Sequence, residues 1–325
     1  MRLKKRYLFI LLIAAICIAG IILIPKKSGD KKKISVVTTI FPIYDWAREV
    51  GSGNENIEYT LLLNNGSDLH SFQPSVKDIT KIASADIFIY VGGESDEWVS
   101  DTLRTVKNSH LVTLNLMESL SSRMLEEEVK EGMQEEEETE DDEAEEELEY
   151  DEHIWLSLTN AAMCVKEISM ALSSCDVDNS EQYESNAMQY IQKLMALDSQ
   201  YSEAVNGAGN KTLVFADRFP FRYLVQDYGL DYFAAFSGCS AESEASFQTV
   251  RFLVNKIDEL ELDDVFVLES SDKKIARTVI DNSSRQNRDI LVLDSMQSIS
   301  DKDVSEGRTY LGIMESNLVQ LKKGL

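Results

Sequence analysis

The sequence predicts an α/β protein built as two parallel-sheet lobes separated by one long helix. Strand-like and helix-like segments alternate twice along the 325 residues, once before the middle and once after it. Between the two alternations, Ser180–Val205 reads as a single helix. Its apolar stripe is Tyr183, Ala187, Tyr190, Leu194 and Leu197. Apolar residues make up 43% of the chain, enough for real cores and too many for wholesale disorder.

The first alternation opens with the β-branched run Ile34–Ile40, a buried strand. Pro42 starts a helix that continues through Val50. Ile57–Leu63 is the next strand, broken by Asn64-Asn-Gly-Ser67. Ser75-Val-Lys-Asp78 has the form of a capping box and opens a helix to Ala85. Ile87–Val91 is a strand ended by Gly92-Gly93, followed by a helix over Glu97–Val106 and a short strand at Leu111–Leu114. After the middle of the chain, helices are expected over Thr159–Leu172 and Ser180–Val205. Strands follow at Thr212–Ala216, Asp231–Ala235, Val265–Leu268 and Ile290–Leu293. Helices are expected over Phe219–Tyr228, Ser246–Leu260, Lys273–Asn282 and Asp301–Lys323.

This divides the chain into a stub (1–33), a first lobe (34–175, with an acidic insert at 125–152), a linking helix (176–209) and a second lobe (210–325). The formal charge is -25, which argues against a nucleic-acid surface. Its placement is uneven. Glu126–Glu152 holds 18 acidic residues and one lysine, whereas residues 1–33 hold nine basic residues and one acid. The insert has no sustained apolar period and reads as a solvated loop. Arg2-Leu-Lys-Lys-Arg6 precedes 17 uncharged residues, Leu8–Ile24. That is the form of an N-terminal membrane anchor or a Sec signal, and it predicts an extracytoplasmic body attached to the membrane. Lipidation at Cys17 is the alternative. Three cysteines remain for the body, and an odd number does not build a disulfide framework.

In open parallel sheets, ligands bind beyond the carboxyl ends of the strands. There the sequence places Asp68 and His70; Asp217 and Arg218; Cys239, Glu242 and Glu244; Glu269; and Asp294. His153 lies where the insert rejoins the fold, beside Trp155. Imidazole with carboxylate suits zinc, manganese or iron. The third histidine, His110, precedes a strand and is given no role. Asn206-Gly-Ala-Gly-Asn-Lys-Thr212 resembles a phosphate loop but lacks the Gly-Lys-Thr ending, and no G-x-S-x-G elbow or H-E-x-x-H helix occurs. A hydrolase is unsupported, and the chain is expected not to be an enzyme.

Several stretches carry a resemblance. They are Val36-Val-Thr-Thr-Ile-Phe-Pro-Ile-Tyr-Asp45, Leu69-His-Ser-Phe-Gln-Pro-Ser75, Ala85-Asp-Ile-Phe-Ile-Tyr90, Glu152-His-Ile-Trp-Leu156, Tyr223-Leu with Tyr228-Gly-Leu230, Glu244-Ala-Ser246 and Val292-Leu-Asp-Ser295. Together they resemble the metal-binding solute-receptor family of ABC importers, of the ZnuA/TroA type. The resemblance covers Ile34–Leu325 apart from the insert. It implies a rigid linking helix and a metal cleft between the lobes, with His70 and His153 as first-lobe ligands and Asp294 as the second-lobe carboxylate. The family's third ligand, a His or Glu, precedes an F-x-Y-L stretch. Counted back from Phe221-Arg-Tyr-Leu224, that position is Arg218, which cannot ligate a cation. Asp217, one residue earlier, takes its place, with Glu269 in reserve. Glu244 reads as a helix-cap or lobe-contact residue.

The implied function is capture of Zn2+, with Mn2+ as the alternative, and delivery to an ABC permease driven by a cytoplasmic ATPase. The insert lies where zinc members carry a charged loop, and weak cation collection is a second expectation for it. The rival readings are a surface adhesion or scaffold protein that keeps the fold, and a metal-dependent enzyme. The latter needs an open coordination position and a nearby base that nothing in the sequence marks.

Overall fold

Two four-stranded sheets, both wholly parallel and wound in the same order, form the frame. A computed structural model describes residues 33–66, 68–134, 149–240 and 244–325. In the first sheet β1 (Ile34–Thr38) lies between β2 (Ile57–Leu61) and β3 (Ile87–Tyr90), and β4 (Val112–Asn115) pairs beyond β3. In the second, β5 (Thr212–Arg218) lies between β6 (Asp231–Phe236) and β7 (Asp264–Leu268), with β8 (Asp289–Leu293) outermost. The inner strands are mostly buried and are rich in Val, Ile and Phe, as a sheet covered on both faces requires.

The helices of the first lobe are α1 (Phe41–Val50), α2 (Val76–Ser84), α3 (Trp98–Thr105) and the short α4 (Leu116–Ser119). Pro42 sits in the first turn of α1, where its missing N–H costs nothing. Ser75 and Asp78 form the expected reciprocal capping box on α2. Two antiparallel helices follow, α5 (Leu158–Cys175) and α6 (Ser180–Asn206). The predicted stripe of α6 is its buried face. The second lobe carries α7 (Arg222–Tyr228), α8 (Phe247–Glu259), α9 (Lys274–Asp281), α10 (Asp301–Ser305) and α11 (Tyr310–Gly324).

Three expectations are corrected. The helix expected over Asp301–Lys323 is two helices, because Gly307 between them has a positive φ of 85° that no helix continues. The helix expected from Phe219 starts at Arg222, after Pro220, whose ring leaves Phe219 disfavoured in the helical region. The insert is docked at its described ends rather than free. Its first arm crosses to the second lobe, where Gln134 N donates to Ala235 O (2.9 Å) and Gln134 Oε1 accepts from Ser246 N (2.7 Å). Glu126 and Tyr150 pair across its base. The expected anchor at 1–32, and residues 135–148 of the insert, lie outside the described residues. No helix among the described residues is long and apolar enough to cross a membrane. Cys164, Cys175 and Cys239 are free thiols.

The lobes share a continuous core, and Ile34–Leu325 forms one compact unit. Trp46 on α1 meets Tyr310 on α11 edge to face, with ring centroids 5.0 Å apart and both side chains fully buried. Each such aromatic contributes a few kcal/mol by area alone, about 1.5–3 kcal/mol. Hydrogen bonds cross this seam, although Trp46 Nε1 is buried without a partner. Asp45 Oδ2 accepts from Tyr310 N (2.8 Å), Tyr310 Oη donates to Trp155 O (2.6 Å), and Trp155 Nε1 donates to Ser295 O (2.8 Å). Because the sheets are parallel, their strands deliver successive loops to common ends, and the seam between the lobes is lined by loops that leave strand carboxyl ends.

Candidate metal centre

His70 and His153 meet in this seam with their Nε2 atoms 3.3 Å apart. His70 is carried on a single 3₁₀ turn, Leu69–Ser71, beyond β2, and Asp68 caps that turn by accepting from His70 N (3.1 Å). Its Nδ1 faces Ser95 Oγ at 2.8 Å and Glu152 Oε2 at 3.9 Å. Ser95 is placed by the turn after Gly92-Gly93. Gly93 has φ +77°, and a Cβ there would stand 2.5 Å from Glu152 Oε1, the oxygen that accepts from Ser95 N (2.7 Å). Glycine is required at that position on both counts.

His153 is fully buried. Asp151 Oδ1 accepts from its backbone N (2.8 Å) and lies 3.0 Å from its Nδ1. An ionised carboxylate only accepts, so Nδ1 carries a proton, and the neutral ring is the tautomer that presents its Nε2 lone pair. Burial opposes the imidazolium, but the Asp151 charge and hydrogen bond outweigh it and hold His153 above its ordinary value. His70 goes the other way. Burial, then the charge of His153, push it down to about 4, so it is neutral at physiological pH.

When both rings are neutral and present Nε2 lone pairs, as binding a cation requires, the two lone pairs repel at this distance unless a donor or a cation lies between them. Gln297, beyond β8, supplies a donor: its Nε2 is 3.1 Å from His70 Nε2 and 3.0 Å from His153 Nε2. Ser295 Oγ lies 3.0 Å from both Gln297 Oε1 and Glu269 Oε1, so its single proton is shared between the amide oxygen and the carboxylate. Cys239, in the loop after β6, closes the group. One ring nitrogen of each histidine and Cys239 Sγ all lie within 4.8 Å of one another, and this is the one such group of three potential metal ligands among the described residues. Gly238 lets that loop approach, since a Cβ there would stand 3.1 Å from His153 Cε1 and 3.0 Å from Phe219 O. Burial, reinforced by Glu127, pushes the Cys239 thiol far up.

The structure brings the two predicted histidines together and turns the predicted carboxylates elsewhere. Asp217 borders the same cleft as His70, but its oxygens accept from Arg218 N (2.9 Å) and Leu268 N (3.3 Å). Asp294 is ion-paired with Arg308 and accepts from Met296 N (2.8 Å). Glu269 accepts from Ser295 N (2.8 Å) and Ser298 Oγ (3.1 Å); burial, with the charge of Asp294, pushes its carboxyl up. Arg218 reaches across to Asp68 Oδ2 at 2.6 Å. His110 is exposed and remote from the group, Glu244 is exposed, and Glu242 lies outside the described residues. Gln297, Asp151 and Ser95 were not singled out from sequence. Their one signal was position, in loops after strands or next to a candidate histidine.

Paired imidazoles in the seam of two parallel α/β lobes define a class, the two-lobed solute-binding proteins. Residues 36–324 match the family described as ZnuA, zinc-uptake complex component A, periplasmic, and the chain belongs to that family. It is 31% identical over 302 residues to the high-affinity zinc uptake system protein ZnuA of Bacillus subtilis, covering 92% of this chain and 91% of that one. It is 30% identical over 313 residues to the zinc-binding lipoprotein AdcA of Streptococcus pneumoniae, covering 96% of this chain; the chain spans 60% of that relative's length. The Zn(II)-bound ZnuA-like domain of that AdcA superposes with a TM-score of 0.70 at 28% identity, over 90% of this chain and 98% of the domain.

Proposed function

We propose that this chain is the extracytoplasmic receptor of an ABC-type importer, which takes Zn2+ between His70 and His153 and hands it to a membrane permease driven by a cytoplasmic ATPase. One observation carries the reading. Two imidazole nitrogens bound tetrahedrally to zinc at about 2.0–2.1 Å stand about 3.3 Å apart, and the two Nε2 atoms are already 3.3 Å apart. Their rings are held from behind by Asp151 and Ser95, so little ordering remains when the cation arrives. The family's zinc-named relatives support the choice of cation.

Loading replaces the Gln297 amide with the cation. Gln297 comes from the second lobe and the histidines from the first, so the cation displaces an amide that joins the lobes at the site. The test is elemental analysis of the full-length chain after exposure to equimolar Zn2+ and Mn2+, beside the His70→Ala/His153→Ala variant. The wild type is expected to retain one zinc and the variant none. At a zinc concentration 100-fold above Kd, the wild type alone gains about 2.7 kcal/mol in stability. Equal zinc content in the two proteins would move the chain to the adhesion or scaffold reading.

A further inference from the structure

We propose that Cys239 is the third protein ligand, so that the cargo is held by two imidazoles and one thiolate and the site prefers zinc over manganese. The inference rests on the reading of the histidine pair as the cation site and deepens it. Three observations carry it. Cys239 Sγ belongs with His70 and His153 to the one group of potential ligands within mutual reach among the described residues. Its loop is positioned rather than loose: Cys239 N donates to Glu127 Oε1 (3.2 Å), from the docked arm of the insert, and Gly238 allows the backbone against the edge of the His153 ring. The carboxylates that would make a harder site are committed, Asp294 to Arg308, Asp68 to Arg218, and Asp217 to backbone amides.

The chemistry follows from the donor set. Two imidazoles and a thiolate form a borderline-soft set that zinc accepts in tetrahedral geometry, leaving a fourth position. Manganese prefers oxygen ligands and gains little from sulfur. On binding, the S–H bond gives way to an S–metal bond and the proton passes to solvent, with no change of oxidation state.

The test uses Co2+ as a spectroscopic stand-in for zinc on the full-length, reduced chain. The wild type is expected to show visible cobalt bands together with a near-ultraviolet thiolate-to-cobalt charge-transfer band. Cys239→Ser is expected to lose the charge-transfer band and keep visible bands, and Cys175→Ser to keep both. In competition titrations Cys239→Ser should weaken zinc at least about 10-fold and manganese less than about 3-fold. Cobalt bound by the wild type without the charge-transfer band, or a band lost in Cys175→Ser instead, overturns the thiolate ligand and leaves the histidine pair standing. No binding of zinc or cobalt by the wild type overturns the pair, and Cys239 with it.

Discussion

One oxygen of Asp151 holds His153 twice, accepting from its amide at 2.8 Å and from its ring Nδ1 at 3.0 Å. The residue two positions earlier in the chain thus orients both the backbone and the ring of the buried histidine proposed as a ligand. Asp151→Asn keeps the shape and removes the charge. It is expected to weaken zinc binding by about 10- to 100-fold, as loss of a ligand's hydrogen-bond partner does in other sites. Competition with a chromophoric chelator measures it, and an unchanged Kd would show that packing alone orients the ring.

Gln297 competes with the cation for both lone pairs. Gln297→Ala removes that competitor and is expected to tighten zinc binding several-fold, by about 1 kcal/mol for the two amide hydrogen bonds net of solvation. Calorimetric titration reads this directly. Weaker binding would mean that the amide turns over and ligates the metal through its oxygen.

Arg218 and Asp68 bridge the lobes at 2.6 Å with both side chains partly exposed. A double-mutant cycle with Arg218→Ala and Asp68→Asn is expected to give a coupling of no more than about 1 kcal/mol. Burial disfavours the Asp68 carboxylate, but Arg218 overrides it and holds the carboxyl below its ordinary value. A depressed carboxyl stabilises the fold above its unfolded value near 4 and loses that contribution as pH falls through its folded value. The coupling measured by urea unfolding should therefore persist at neutral pH and fade in acid. A coupling that grows in acid would contradict the pair.

Asp96 has the opposite sign. Its Oδ2 accepts from Val91 N and Gly92 N, yet burial pushes its carboxyl up to about 7. A raised carboxyl contributes stability below its unfolded value and loses it as pH rises through about 7. Asp96→Asn keeps an acceptor for both amides and cannot ionise. Relative to wild type it should gain stability between pH 5 and pH 8, by at most about 3 kcal/mol. Identical pH profiles of the two proteins would refute this.

The fold was legible because its signals are local. β-branched runs marked the strands, Ser75 and Asp78 marked a helix start, and the stripe from Tyr183 to Leu197 marked the long helix with its buried face. The site was half legible. His70 and His153 stand out because the chain has only three histidines and these two occupy loops. Which second-lobe residue approaches them depends on three-dimensional competition that spacing does not encode. Asp294 looks like a ligand until Arg308, fourteen residues on, takes its charge. Arg218 occupies the family's ligand position and spends itself on Asp68. Gln297 and Cys239 carry no motif, and their relevance emerges only when two loops from different strands fold onto the first-lobe histidines.

The common winding of the two sheets has a consequence for how such receptors diverge. His70, Cys239 and Gln297 hang from turns beyond strands, His153 stands at the start of the turn Ile154–Leu156, and none of the four is part of a strand. A substitution in one of the turns beyond a strand therefore swaps a donor atom without disturbing strand pairing. The side chains on these turns, rather than the strands beneath them, set which donor atoms face the seam.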